Sequence, residues 1–147
     1  MMKFAAKLGA DCAFFIKNSP SLAAGVGEKL SNIDVSLAGK FMLLIYPDIH
    51  ISTRVAFADM IPQVPSKKIA DILSQQRLSQ WKHDLVNDFE NSLFNKFPVL
   101  KNIKTTLYNA GAQYASMSGS GSCMYGIFEK ETEVEIPQNY IYWAGIL

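Results

Sequence analysis

Between Pro98 and Phe128 the sequence changes its period twice, and that tract constrains the fold more than any other. Pro98 stands at a first-turn position, and Val99, Leu100, Ile103, Leu107 and Ala110 recur at helical spacing up to a stop at Gly111. Residues 113–117 and 122–128 then read as strands, and between them lie Ser118, Gly119, Ser120, Gly121 and Ser122. A loop so poor in bulk lets backbone N–H groups turn inward and approach an anion closely. Serine–glycine clusters are also ordinary connections, so a ligand-binding loop and a simple turn are both open at this point.

The rest of the chain supplies the partners for that helix and pair of strands. The apolar run 12–16 reads as a short strand closed by a turn at Asn18, Ser19 and Pro20. Residues 21–30 read as a second strand with Gly25 and Gly27 inside it, where glycine marks a bulge or a close backbone approach. The unbroken apolar run within 40–46 predicts a strand buried on both faces, ended by Pro47 and Asp48. Ser52 or Thr53 can cap a short helix through Val55, Ala56, Phe57 and Ala58. Short helices are predicted from Ser66, with Ile69, Ile72 and Leu73 on one face, and over 77–83, with Leu78 and Trp81 inward. Residues 129–137 read as a polar surface connection and 140–144 as a final strand. Strands and helices mix without a regular βαβ alternation. The pattern therefore predicts an α+β fold, a two-layer arrangement with a mainly antiparallel sheet and helices on one face, ferredoxin-like in type.

Composition narrows the function. The 147 residues are 49% hydrophobic and 18% charged, enough to build a core. Fourteen basic and 13 acidic residues leave a formal charge of +1, scattered along the chain, so no basic face invites nucleic acid. The densest apolar run, 41–46, is far too short to cross a bilayer, and no signal peptide is visible. Cys12 and Cys123 each lie beside an apolar run, and buried free thiols in a reducing cytosol are the simpler reading beside a disulfide. His50 and His83 are isolated, and no Cys/His spacing suggests a metal site.

Three further segments could carry chemistry. Asp11 follows a glycine turn (Leu8, Gly9, Ala10) and precedes an apolar run. A carboxylate there can act on a substrate hydroxyl as base or orienting group, or simply hydrogen-bond nearby backbone N–H groups. From Tyr46 to Phe57 a strand end, a loop and a capped helix start offer backbone N–H groups and hydroxyls to a polar ligand. Phe57 could stack on a flat ring or serve as core. Asn87, Asp88, Phe89 and Glu90 form a polar cluster around one aromatic, with helix capping as its simplest role.

Taken in order, these segments resemble one family. Leu8-Gly9-Ala10-Asp11, then Ala24-Gly25-Val26-Gly27-Glu28, then Tyr46-Pro47 through Ser52-Thr53, then Asn87-Asp88-Phe89-Glu90, and last Met117 through Ser122 are similar to the C-terminal part of the 4-diphosphocytidyl-2-C-methyl-D-erythritol kinases. That family belongs to the GHMP superfamily of small-molecule kinases and serves the non-mevalonate route to isoprenoids. The resemblance runs from about Ala5 to Phe128. It implies a GHMP kinase C-terminal domain over 1–147, with a remnant of a preceding N-terminal domain in about the first thirty residues.

By the same resemblance, Asp11 matches the catalytic aspartate that contacts the hydroxyl receiving the γ-phosphoryl group of ATP. Residues 118–122 match the third superfamily motif, a glycine-rich loop against the active site. Thr53 and Phe57 match positions lining the cytidine pocket, with Phe57 stacking on cytosine. Gly25 and Gly27 match a structural Gly-x-Gly-Glu turn, and Arg54 stands where some relatives have proline. Family members also carry a longer glycine-rich ATP loop ahead of the segment matching Leu8 to Asp11, and a lysine near their N-terminus. This chain starts after both. The resemblance therefore implies a substrate-side half cut from something longer, cytoplasmic, acting on a small-molecule substrate. ATP and Mg²⁺ would be held mainly by the missing N-terminal half, with neither bound tightly by this chain, which is expected to be inactive alone. Exposure of a former inter-domain face predicts self-association. Two rivals remain: a non-catalytic ferredoxin-like ligand-binding or oligomerisation module, and the C-terminal part of another GHMP kinase of homoserine or mevalonate type. The first is distinguished by whether Asp11, Thr53, Phe57 and Gly119 gather on one cleft.

Overall fold

A computed structural model describes residues 4–5, 8–9, 12–25, 27–60 and 64–147 of the chain. The run 12–16 is not a strand. Cys12–Lys17 is a short helix, α1, that buries Ala13 and leaves Phe14, Phe15 and Ile16 exposed. A five-residue apolar run suits either element by pattern, and a helix satisfies its backbone groups without a neighbouring strand to pair with. Nor is 21–30 one strand: β1 (Ser21–Ala24) and β2 (Lys29–Asn32) form an antiparallel hairpin. Gly25 at φ 73° takes the left-handed backbone that reverses the chain there.

The remaining elements follow as β3 (Phe41–Tyr46), α2 (Thr53–Ala58), α3 (Ile69–Gln75), a 3₁₀ turn (Leu78–Gln80) and α4 (Trp81–Asp84). Then come α5 (Phe89–Lys96), α6 (Pro98–Asn109), β4 (Tyr114–Met117), β5 (Met124–Phe128) and β6 (Ile141–Ile146). The last four strands to include β3 make one sheet in the order β4-β5-β3-β6, every neighbouring pair antiparallel. This is the predicted α+β arrangement with an antiparallel sheet, but helices cover both of its faces rather than one.

The central strand β3 alternates cleanly. Phe41, Leu43 and Ile45 are buried, whereas Met42, Leu44 and Tyr46 are half-buried, so one face is covered more fully than the other. The fully buried face meets α5 and α6. Leu93 of α5 and Leu100, Ile103 and Leu107 of α6 close the main core against Phe41, Leu43, Ile45, Met117, Met124 and Phe128. The stripe on α6 is the predicted one, with Pro98 at its first turn. A smaller cluster lies on the opposite face, where Ile72 of α3 and Trp81 of α4 pack on Tyr114 and Ile127. The connection 129–140 carries no helix or strand, but Val134 and Ile136 fold back onto the main core.

Strand β6 is an edge strand with most of its side chains exposed, Ile141 at 64%, Trp143 at 49% and Ile146 at 62% among them. Both described cysteines are free, Cys12 exposed rather than buried and Cys123 half-buried. Among the described residues no helix is long and apolar enough to cross a membrane.

Candidate functional site

Three loops meet at one end of the sheet. The first leaves β3, where Asp48 at φ 58° turns the chain towards α2. Ser52 caps α2, its Oγ accepting from the Val55 N–H at 3.3 Å, so the predicted cap falls on Ser52. Thr53 opens the helix and is exposed, and Phe57 follows four residues later on the same side. The Phe57 ring is 56% exposed and stands edge-on to Phe89, with centroids 4.8 Å apart and planes at 83°.

The second loop leads into α5, a helix that the sequence reading passed over. Asn87 accepts from the Phe89 N–H through Oδ1 at 3.0 Å in the turn that leads into the helix, whereas the cap position itself, Asp88, makes no side-chain capping bond. Asn87 does more than that. Its Nδ2 donates to both Met117 O and Gly119 O, each at 2.8 Å. Two carbonyls demand the amide nitrogen and one N–H demands the oxygen, so the network itself sets the orientation of the side chain.

The third is the glycine–serine loop between β4 and β5. Ser118 N–H donates to Cys123 O at 2.8 Å, and Gly121 N–H to Ser118 O at 3.0 Å. Ser122 is buried and its Oγ donates to Ile49 O at 2.5 Å, tying this loop to the first. Gly119 and Gly121 adopt φ 55° and 87°. Gly121 is required by space as well as by backbone, because a Cβ there would lie 2.8 Å from the Met117 Sδ. Among the described residues nothing accepts from the N–H groups of Gly119 and Ser120, which leaves them available to an anion. Burial pushes the neighbouring Cys123 thiol up from its ordinary value, away from the thiolate.

Beneath the loop sits Glu90, which the sequence places in a polar cluster without indicating its burial or its partners. It is only 4% exposed. Its Oε1 accepts from Ser116 Oγ at 3.1 Å and from Met117 N–H at 2.8 Å, and its Oε2 pairs with Lys104 Nζ at 2.5 Å. Those partners lie on α6 and at the end of β4, far along the chain from Glu90, so no local pattern announces them. The polar cluster at 87–90 was the single available signal.

Of the predicted site residues, Thr53, Phe57 and the loop 118–122 are brought to one end of the sheet through Ile49, Asn87 and Phe89. Asp11 lies outside the described residues. Gly25 and Gly27 sit apart in the β1–β2 turn, where Gly27 N–H donates to Ala24 O at 3.2 Å. Arg54 is exposed on α2. Chemically, an exposed aromatic ring beside a loop with open N–H groups suits a ligand with a flat ring at one end and an anion at the other.

Comparison with known proteins gives a consistent picture. Residues 66–141, more than half of the chain, match the family described as GHMP kinases C terminal. The 4-diphosphocytidyl-2-C-methyl-D-erythritol kinase of Bacteroides thetaiotaomicron is 52% identical over 128 residues, covering 87% of this chain and 46% of that protein. A crystal structure of 4-(cytidine 5'-diphospho)-2C-methyl-D-erythritol kinase superposes with a TM-score of 0.70 at 26% identity, over 88% of this chain and 48% of that one. A homoserine kinase from Cytophaga hutchinsonii shares the fold, with a TM-score of 0.60 at 14% identity over 81% and 45% of the two chains. The chain spans about half the length of the curated relatives it matches.

Proposed function

Because this chain belongs to the GHMP kinase C-terminal family, we propose that it is the substrate-side half of a small-molecule kinase. In this reading the whole kinase phosphorylates the hydroxyl of a cytidine diphosphate-linked methylerythritol with ATP, in isoprenoid biosynthesis in the cytoplasm. Phe57 stacks on the cytosine and Thr53 lines the same pocket. The loop formed by Ser118, Gly119, Ser120, Gly121 and Ser122 closes over the phosphate region. Asp11 holds the acceptor hydroxyl, as base or as orienting group. The hydroxyl oxygen bonds to the γ-phosphorus, the bond from that phosphorus to the ADP oxygen breaks, and the hydroxyl proton leaves to Asp11 or to solvent.

One observation carries the reading: the Phe57 ring and the glycine–serine loop are fastened to the same segment, Asn87 to Glu90. A module using the loop only as a turn has no need of that arrangement. The names of the similar proteins support the substrate.

ATP and Mg²⁺ are assigned to residues outside those described. Among the described residues no group of three or more His, Cys, Asp or Glu side chains is placed to hold a metal ion. The chain by itself is proposed to be inactive, because the family resemblance assigns the holding of ATP to an N-terminal half. Assay of the purified chain, by itself and mixed with the N-terminal half of a similar kinase as a separate polypeptide, tests this. Turnover only on mixing is expected, and steady Mg²⁺-dependent ATP turnover by the chain alone overturns it.

Self-association belongs to the same reading. Strand β6 offers an uncharged edge whose apolar side chains are exposed, and Phe15 of α1 is 74% exposed. A second copy is the occupant proposed for that edge. Sedimentation at rising concentration should reveal dimers that Trp143→Lys disperses; a clean monomer at high concentration removes the proposal.

A further inference from the structure

The start of α5 is fastened to both halves of the site, to the glycine–serine loop through Asn87 and to the Phe57 ring through Phe89. We propose that Asn87, Phe89 and Glu90 are positioning residues that hold the glycine–serine loop and the Phe57 ring in fixed register. A nucleoside diphosphate is then gripped at its base and its phosphates by a single rigid piece. This inference rests on the function proposed above and adds to it the residues that set the spacing of the two grips.

The loop is held from both ends. On its leading side, Glu90 takes the Met117 N–H at 2.8 Å while Asn87 takes the Met117 carbonyl at 2.8 Å, so both backbone polar groups of that residue are fixed by side chains of one short segment. Asn87 then reaches two residues further to the Gly119 carbonyl at 2.8 Å. On its trailing side, Ser122 is tied to Ile49. Glu90 cannot drift, because Lys104 of α6 pairs with its second oxygen and Ser116 with its first. Phe89 lies between these two residues and meets Phe57 edge-on at 4.8 Å, which supports one side of a ring that is otherwise largely exposed. A helix start is a stiff frame, so a displacement at Asn87 is shared by the loop and the ring.

The turn into the helix alone would also place an Asn here, and one substitution separates the two roles. Asn87→Asp keeps an oxygen to accept the Phe89 N–H, and Asp is as good as Asn at a helix start. It loses both donors and sets carboxylate oxygens against two carbonyl oxygens. A turn residue survives that exchange; a loop-positioning residue does not.

Amide hydrogen exchange on the full chain without ligand is read first. In Asn87→Asp, exchange at Ser118 and Gly121, whose N–H groups are bonded within the loop, should quicken at least tenfold while amides inside α5 keep their rates. Titration with CDP and with cytidine follows. Asn87→Asp should weaken CDP about tenfold and leave cytidine unchanged, whereas Phe89→Leu should weaken both alike. Unchanged loop exchange overturns the positioning role. Faster exchange with equal loss for CDP and cytidine overturns its link to the diphosphate. Wild-type chain that binds neither ligand removes the functional reading, and the exchange rates still decide the positioning. Should Asn87→Asp not fold, Glu90→Gln is read at the same amides, since it keeps an oxygen for Met117 N–H and loses the charge facing Lys104.

Discussion

Two glycine-rich turns join antiparallel strands in this chain, and they are held in opposite ways. The turn at Gly25 and Gly27 closes on itself by a short-range bond, between strands whose side chains are mostly exposed. The turn at 118–122 is equally rich in small residues but is gripped by Asn87, by the Ile49 carbonyl that accepts from Ser122 Oγ and, at its stem, by a buried Glu90. Small residues permit an unusual backbone in both places. Order in the second comes from side chains distant in sequence, and a loop held that way can keep its N–H groups aimed without a ligand to organise them.

The sharpest way to break the contrast is to remove its buried anchor. Glu90→Ala leaves Lys104 without its partner and the Met117 N–H without its acceptor. The expected loss is about 3 kcal/mol, which lowers the melting temperature of a chain this long by roughly 6–12 °C. Calorimetry or urea unfolding measures it, and a loss no larger than that of a surface substitution would show that the carboxylate does not anchor the stem.

A matched pair of substitutions then compares the turns directly. At Gly121 a new Cβ meets the buried Met117 sulfur at 2.8 Å, so Gly121→Ala should cost about 2 kcal/mol. At Gly25 the left-handed backbone, φ 73°, sets the cost of a side chain, and Gly25→Ala should cost about 1 kcal/mol. Equal costs in urea unfolding would erase the distinction.

The smallest effect comes from alkali. Tyr108, Tyr114 and Tyr125 lie around the anchored hairpin, and burial pushes each phenol above its ordinary value. The Tyr108 hydroxyl both accepts from Ala115 N–H and donates to Ala115 O at 3.1 Å, and the Tyr114 hydroxyl donates to Leu85 O at 2.9 Å. The fold keeps these protons after the unfolded chain begins to lose them. Their contribution is therefore complete below about pH 10 and declines above it, towards the raised values of the folded state. The urea midpoint should hold steady to about pH 10 and then fall, with hydrogen exchange quickening at β4 and β5 before β1 and β2.

What the sequence made legible was local. The helix α6 could be read from its stripe, its Pro98 and its Gly111, because each of those signals acts within a turn or two of itself. The cap at Ser52 and the approach of the chain to α2 were readable for the same reason. Helix α5 was not, since Asn, Ser and Lys dilute its apolar spacing and its anchoring residue is an acid. The burial of Glu90 depends on Ser116 and Lys104, and nothing in one stretch of sequence records a partner elsewhere. Likewise the five apolar residues at 12–16 look like a buried strand until one sees that most of them face outward.

The sheet order carries a consequence for how the chain is born. Strand β3 sits between β5 and β6, both made long after it, and the Lys40 and Gly39 backbone groups at its entry wait for Leu147. During synthesis β3 therefore emerges from the ribosome with both edges bare, and its apolar face must be shielded by chaperones or by loose collapse until its late neighbours arrive.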